Sequence, residues 1–401
     1  MKKQLPMILT SAGLAVSVLL IILMNANAPE PYVMYNSDTI AYEKGRVTAV
    51  TDELLEPADG MPGRMLGIQR ITVRLTGGAQ EGQEIAVDNH LSYDHNVRVR
   101  AGQAVIVKAD RPENVTPFYT LYSYDRTPGL WLTALVFVAL MFLVGRLKGL
   151  RSALGLLISL FFISAFLLPA VYRGWSPVWT AILTSLAISV FSLLLLNGFN
   201  RKTLTAVAAT AAGVLVSALF FFLISAFLHL TGYDISEAEE LILISRHTGL
   251  QIGQVLFAGV LIASLGAVMD TAVSVAASLY EMKEARPDMT PQSLFRSGMT
   301  VGRDIIGANC QTLILAFVGS SLAMLLVLIS YGTRLDQFLS SNYLAVEVVC
   351  GIAGSIAVIL AVPITAGLCI VFDRCFQRRR WVTKPQTVVS ISQPLARKAR
   401  K

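Results

Sequence analysis

The chain has 401 residues, 54% of them hydrophobic and only 15% charged, with a mean hydropathy of +0.60. A soluble domain usually carries about 25% charged residues, and several runs here exceed the roughly 18 apolar residues that cross a hydrocarbon core of about 30 Å. The composition excludes an ordinary soluble domain and predicts an all-α polytopic membrane protein, with about seven spans after an N-terminal anchor span.

The net charge of +7 does not point to nucleic acid. Segment 29–127 is mildly acidic, with 10 basic and 14 acidic residues, and the basic excess sits in short loops and in the tail, around "DRCFQRRR" and "ARKARK". Such clusters touch anionic headgroups in some proteins, but here topology accounts for them.

Residues 1–28, "MKKQLPMILTSAGLAVSVLLIILMNANA", read as a membrane anchor or a signal peptide. Ala26-Asn27-Ala28 has a small-x-small pattern, yet Pro29 stands where a cut would fall and the apolar run is as long as a span. An uncleaved anchor is the expectation.

Residues 29–127 change period. In "QRITVRLT" (69–76), Ile71, Val73 and Leu75 alternate with polar residues, as in a half-buried strand. "GRVTAV" (45–50), "EIAV" (84–87) and "AVIV" (104–107) repeat the pattern, with glycine-bearing turns between. About five short strands predict a small extracytoplasmic β-barrel-like domain of OB or SH3-like type, since closure protects edges. Asp88, His90, Asp94 and His95 crowd one stretch, but nothing fixes metal-ligand spacing, and a polar loop is the simpler reading.

A helical membrane domain, 128–373, follows. Together with the anchor it gives expected spans at about 7–24, 129–145, 152–172, 177–196, 203–230, 250–272, 305–331 and 346–372. Lys and Arg favour the cytoplasmic side. Lys2, Lys3, Arg146, Lys148, Arg151, Arg201, Lys202, Lys283, Arg286, Arg296, Arg303 and the basic tail 374–401 then lie inside, against Arg173, Arg246 and Arg334 outside. Both termini are expected in the cytoplasm. Cys310, Cys350, Cys369 and Cys375 lie in or beside spans and build no disulfide framework.

The sixth span carries one carboxylate, Asp270. Its helical stripe holds Ala263, Gly266, Ala267, Ser274, Ala277 and Ser278, all small. Small residues let helices approach closely in lipid, so the stripe is expected to be a packing seam holding Asp270 against protein or a wet cavity. An acid so placed is either structural glue or an ion or proton site.

The seventh span opens with Gly298 and Gly302 as a GxxxG pair, then Asp304, Gly307, Ala308 and Gln311 on one face and Asn309, Thr312 and Ser320 on another. Amides and hydroxyls within spans usually bind helices together; concentrated beside Asp270, they suggest a polar cavity. Between these spans, "RPDMTPQSLFRSG" (286–298) reads as a short cytoplasmic helix with Thr290 as N-cap and Pro291 at its first position. Glu347 stands at the outer start of the last span as a cap or an outer contact.

No HExxH, Gly-x-Ser-x-Gly or phosphate-binding loop appears, so no enzymatic chemistry, metal or cofactor is expected. The expected partners are the lipid bilayer, a small solute or ion, and a protein at the extracytoplasmic domain or the 281–303 loop. No feature of the sequence fixes an oligomeric state.

"LFAGVLIASLGAVMDTAVSVAASLYE" (256–281), "FRSGMTVGRDIIGANCQTLILAFVGSSL" (295–322) and "EVVCGIAGSIAVILAVPITA" (347–366) together resemble the YibE/F family of bacterial membrane proteins. "DNHLS" (88–92) is similar to that family's Asn-x-Leu-Ser stretch. The resemblance implies a multi-span protein of the bacterial plasma (inner) membrane, often described as a permease, with no settled substrate. Asp270, Arg303, Asp304 and Glu347 match its motifs, whereas Cys310 and Cys350 stand where Thr and Arg are more usual. The expected function is permease-like. Asp270 would be the working group, with Asp304, Asn309, Gln311, Ser274 and Glu347 as further contacts and Ala263, Gly266, Ala267, Gly298, Gly302 and Gly307 as the packing seam. The alternative is a non-transporting accessory or sensor whose β domain binds a cell-envelope partner.

Overall fold

The computed structural model describes residues 5–26, 39–78, 80–112, 115–233 and 238–381, with side chains described from residue 12 and up to 374. The basic tail beyond 381 and the small-x-small site after Ala26 lie outside the described residues. The chain forms two compact units, Pro31–Gly149 and Met1–Glu30 with Leu150–Lys401.

The first unit holds β1 (Ile40–Pro57), β2 (Met65–Leu75), β3 (Glu84–Leu91), β4 (Ala104–Asp110) and β5 (Phe118–Tyr124). They form one antiparallel sheet in the order β3-β2-β1-β4-β5. The expected alternation is present, with Val47, Ile71, Val73, Leu75, Val87, Val105 and Val107 buried in one core. β1 serves two partners, β4 along its first half and β2 along the rest, with bulges after Val47 and Val50. Bulges bend a strand and increase its twist. The sheet curls until edge strands β3 and β5 come close.

Two buried amides complete the opening. Gln69 donates to the Val99 carbonyl at 2.8 Å and accepts from the Val99 N–H at 3.1 Å. Asn89 donates to Val97 O at 2.8 Å and to Gln69 Oε1 at 3.2 Å. The irregular segment 97–99 thus obtains from side chains the bonds that a strand would draw from a neighbour. The "DNHLS" stretch is explained locally: Asn89 braces the core, and Ser92 Oγ accepts from His95 N at 3.0 Å to form the following turn. Elsewhere Arg111 makes two 2.9 Å bonds to buried Glu43, and Gln80 accepts from Arg111 at 3.2 Å. β5 leads within two residues to α2 (Thr127–Phe162), where Asp125 accepts from Thr127 N at 3.0 Å. The Thr127 hydrogen bonds hold the Asp125 carboxyl below the usual aspartate range.

The second unit is helical. Its elements are α1 (Leu5–Ala26), the C-terminal part of α2, a π-turn (Ile163–Leu167), α3 (Leu168–Tyr172), α4 (Pro177–Asn197), α5 (Arg201–Phe227), α6 (Ala238–Thr248), α7 (Val255–Ala285), α8 (Pro291–Ser330), α9 (Leu335–Leu339) and α10 (Asn342–Trp381). Pro169 has no N–H to offer the Ala165 carbonyl four residues back, and the Asn25 side chain of α1 donates to that oxygen at 2.8 Å. Arg173 then bonds Met24 O and Asn25 Oδ1 at 3.0 and 2.8 Å. Ala353, Ala357 and Ala361 put a small, fully buried face of α10 among α5, α7 and α8.

Among the described residues, six helical runs are long and apolar enough to span a membrane, with Ala12–Ala26 a shorter apolar one. The expected spans 129–145 and 152–172 fall in a single run, Thr127–Tyr172, broken at Arg146 by a positive φ of 48°. Arg146 is non-helical and separates two helices, at the place where the two expected spans part. The short helix 286–298 does not end at 298: Thr290 does cap and Pro291 does start it, but it continues as α8 to Ser330. Gly298 and Gly302 fail to stop it because both are packed against α10 rather than left to solvent.

Candidate functional site

α7, α8 and α10 meet through glycines that leave no room for a side chain. A Cβ at Gly302 would lie 2.1 Å from Val362, and one at Gly298 would lie 2.9 Å from Ala366. These two members of the expected seam are packed. Ala263 and Gly266 are not: both are exposed, and a Cβ at Gly266 or Gly307 would meet nothing within 4 Å. Ala267 is half-buried. The packed face of α7 is the opposite one, through Leu265, Val268, Thr271, Ala272, Val275 and Ala276. Its residues are larger because the partners supply the smallness, as where a Cβ on Gly213 of α5 would stand 2.5 Å from Val268. A close helix contact requires a small residue on only one side.

Asp270 and Ser274, one turn apart, therefore lie on the exposed face of α7. Next to Asp270, Thr271 is buried and accepts from Asn309 Nδ2 of α8 at 2.8 Å, while its hydroxyl bonds back to Ala267 O at 2.8 Å. Among the described residues nothing forms a hydrogen bond or ion pair with Asp270. Asp304 and Gln311 do not join this group. They are exposed on α8, and at about 100° per residue they sit some 140–160° around the helix from Asn309. Glu347 is half-buried near the start of α10. The expected polar seam is thus divided: Asn309 reaches α7 at Thr271, Asp270 and Ser274 stand on the exposed face of α7, and Asp304 and Gln311 face away from Asn309.

The bundle also has two chemically distinct ends. At one, Arg201 pairs with Asp373 at 3.8 Å and Lys202 with Glu281 at 3.3 Å. Arg201, Lys202 and Asp373 border a cavity of about 680 Å³ with Asn200, Tyr280, Lys283, Glu284 and Pro287. Above it the Tyr280 and Thr205 hydroxyls are 3.0 Å apart. At the other end Ser176 donates to Gln254 at 2.6 Å beside an apolar cavity of about 570 Å³. Sequence reasoning did not single out these ion pairs, because each joins residues far apart in the chain. Lys and Arg at span ends were the available signal.

In the β unit, Asp88 and His90 stand on β3, with Asp88 3.7 Å from Arg70, while His95 lies in the following loop. Among the described residues no three His, Cys, Asp or Glu side chains are grouped as a metal site.

A family model described as YibE/F-like protein matches residues 133–373. The chain belongs to the YibE/F-like family. The match includes α4, α5, α7, α8 and α10, with Asp270 and Asn309, and leaves the five-stranded sheet outside it. No curated protein and no solved structure matches the chain.

Proposed function

We propose that this YibE/F-like protein is permease-like rather than an enzyme, and that it binds and moves a small solute or ion at the α7–α8 junction. Asp270 is the charged group of that site, Ser274 a flanking ligand, and the Thr271–Asn309 bridge the rigid wall that positions them. The observation that carries this reading is an intramembrane carboxylate on an accessible helix face with no described protein partner. A carboxylate within a span is expensive unless it meets a cation, a proton or water. Glu347 is a further contact on the outer side.

In this reading the protein sits in the bacterial plasma membrane with both termini inside, following the Lys and Arg distribution. The β unit is extracytoplasmic and of OB type: β1 pairs with both β2 and β4, and β3 approaches β5, as closure of a five-stranded Greek-key barrel requires. The bonds from Asn25 and Arg173 between α1 and the 163–173 region favour an anchor that stays attached.

The test is thermal stability of the purified full chain against a panel of ions, metabolites and pH values, beside Asp270→Asn. A ligand at 100 times its Kd adds about 2.7 kcal/mol to the folded state. The expected result is a shift with one ligand class that disappears in the variant. A variant that is simply less stable, with no ligand shift in either protein, would make Asp270 a packing residue.

A second reading has its own observation. Tyr42 and Tyr122 are exposed on the sheet with ring centroids 4.9 Å apart, and Phe118 is exposed close by on β5. Exposed aromatics suit an accessory protein that binds an envelope partner through its β unit. Tyr42→Ala with Tyr122→Ala would then remove partner crosslinking while leaving every ligand shift intact.

A further inference from the structure

α8 is the least covered of the long helices: 11% of its span window is buried, against 44% for α10 and 39% for α7. Its outward face is not the uniform apolar surface that lipid requires. Asp304, Gly307, Gln311, Leu315, Val318 and Leu322 are all exposed and recur at intervals of three or four residues. They share one face of a helix that is exposed over much of its circumference.

Gln311 lies eight residues, about 12 Å of helix, beyond Arg303, well inside the apolar stretch. Among the described residues Arg303, Asp304 and Gln311 have no hydrogen-bond or ion-pair partner. A carboxamide left bare in hydrocarbon loses its hydrogen bonds to water without replacement, so this face requires a cover with matching chemistry.

We infer that the cover is a second copy of this chain, packed through the Asp304–Leu322 face of α8 about a two-fold axis along the membrane normal. All copies insert in the same orientation, so such an axis sets each residue at the depth of its own counterpart. The face must then complement itself. Gln311 does so, because a carboxamide both donates and accepts and two of them pair directly. Asp304 facing Asp304 would repel, but Arg303 is the next residue, so two copies exchange two Arg303–Asp304 pairs. Gly307, lying between them with no atom within 4 Å of its Cβ position, lets the two backbones come close. The inference does not depend on the solute-binding reading.

The test uses full-length protein. Two differently tagged copies are co-expressed and recovered together, and the particle mass in lipid nanodiscs is measured by light scattering. The expected mass is twice the 43.4 kDa chain. Single cysteines, placed in a background with the native cysteines replaced by alanine, should crosslink at positions 304, 307, 311, 315, 318 and 322 and not at 309 or 313. Gln311→Leu should lower the dimerisation constant roughly three- to twenty-fold, the range set by one interhelical polar contact. Asp304→Arg should also lower it, and Arg303→Asp combined with Asp304→Arg should restore it. A monomeric particle without co-recovery, or crosslinking that does not follow the helix face, would overturn the inference.

Discussion

The two units bury polar groups by opposite means. In the β unit, Gln69 and Asn89 cross the core to reach Val97 and Val99. In the helical unit, Thr184, Ser189, Thr210, Ser355 and Thr365 each donate to the carbonyl four residues back in their own helix. A hydroxyl bonded within its own turn says nothing about which helix is its neighbour. Helix arrangement then falls mainly to shape, to the places where one residue is small enough for another to enter, with a few bonds between helices such as Asn309 to Thr271 and Thr205 to Tyr280. In the sheet, by contrast, the polar side chains themselves decide how the chain closes.

The largest expected effect comes from breaking shape in the helical unit. At Gly302 a Cβ would overlap Val362 at 2.1 Å, and Val362 is fully buried and β-branched, with little freedom to move. Gly302→Leu should destabilise by about 3 kcal/mol or more and lower the yield of monodisperse protein in detergent. Gly266→Leu, from the other expected seam position, should be neutral or stabilise by up to about 1 kcal/mol, since leucine forms helix better than glycine. Equal losses in the two variants would remove shape as the basis of the arrangement.

These two glycines also mark how far sequence could be read. The spans, the strand alternation, the Thr290 cap and the family were legible because each is a local pattern. Which stripe of α7 faces the bundle was not, because a helix with small residues on one side and valines on the other can pack by either. The choice is made by Gly213 and Ala357 on other helices. Asp270 was legible as an unusual residue but its surroundings were not, and Asp304 and Gln311 had to be placed around the α8 axis before they could be separated from Asn309. In the β unit, Gln69 sat unremarked between Ile68 and Arg70. A single amide on the inward register of a strand is the signal that could have exposed it.

Next in size is Gln69→Leu. Leucine fills the core space but leaves the Val99 N–H and carbonyl without their partner, and each buried unsatisfied group costs about 1–3 kcal/mol, while Asn89 keeps its bond to the Val97 carbonyl. Hydrogen exchange should speed up across 95–100 while the helical unit stays protected. If it speeds up equally in α7 and α10, the two units do not keep separate accounts of their polar groups and the comparison fails.

The smallest effect lies where the Gln69 network reaches the surface. Glu53 Oε1 accepts from Gln69 Nε2 at 2.5 Å and Oε2 from Arg98 at 2.8 Å. The Arg98 hydrogen bond, and then that of Gln69, hold the Glu53 carboxyl below the usual glutamate range. A carboxyl whose value is lower folded than unfolded stabilises the fold above the ordinary glutamate range, and that contribution disappears as pH falls through the folded value. Because the pair is exposed, its worth is at most about 1 kcal/mol. Exchange protection at 95–100, corrected for the intrinsic effect of pH, should therefore decline modestly between about pH 5 and pH 3. Arg98→Gln should flatten that decline, because it removes the larger cause of the shift, whereas Arg74→Gln, on a separate surface pair with Glu84, should leave it unchanged. A decline identical in all three proteins would mean that Gln69 holds the Val99 segment without help from the surface carboxylate.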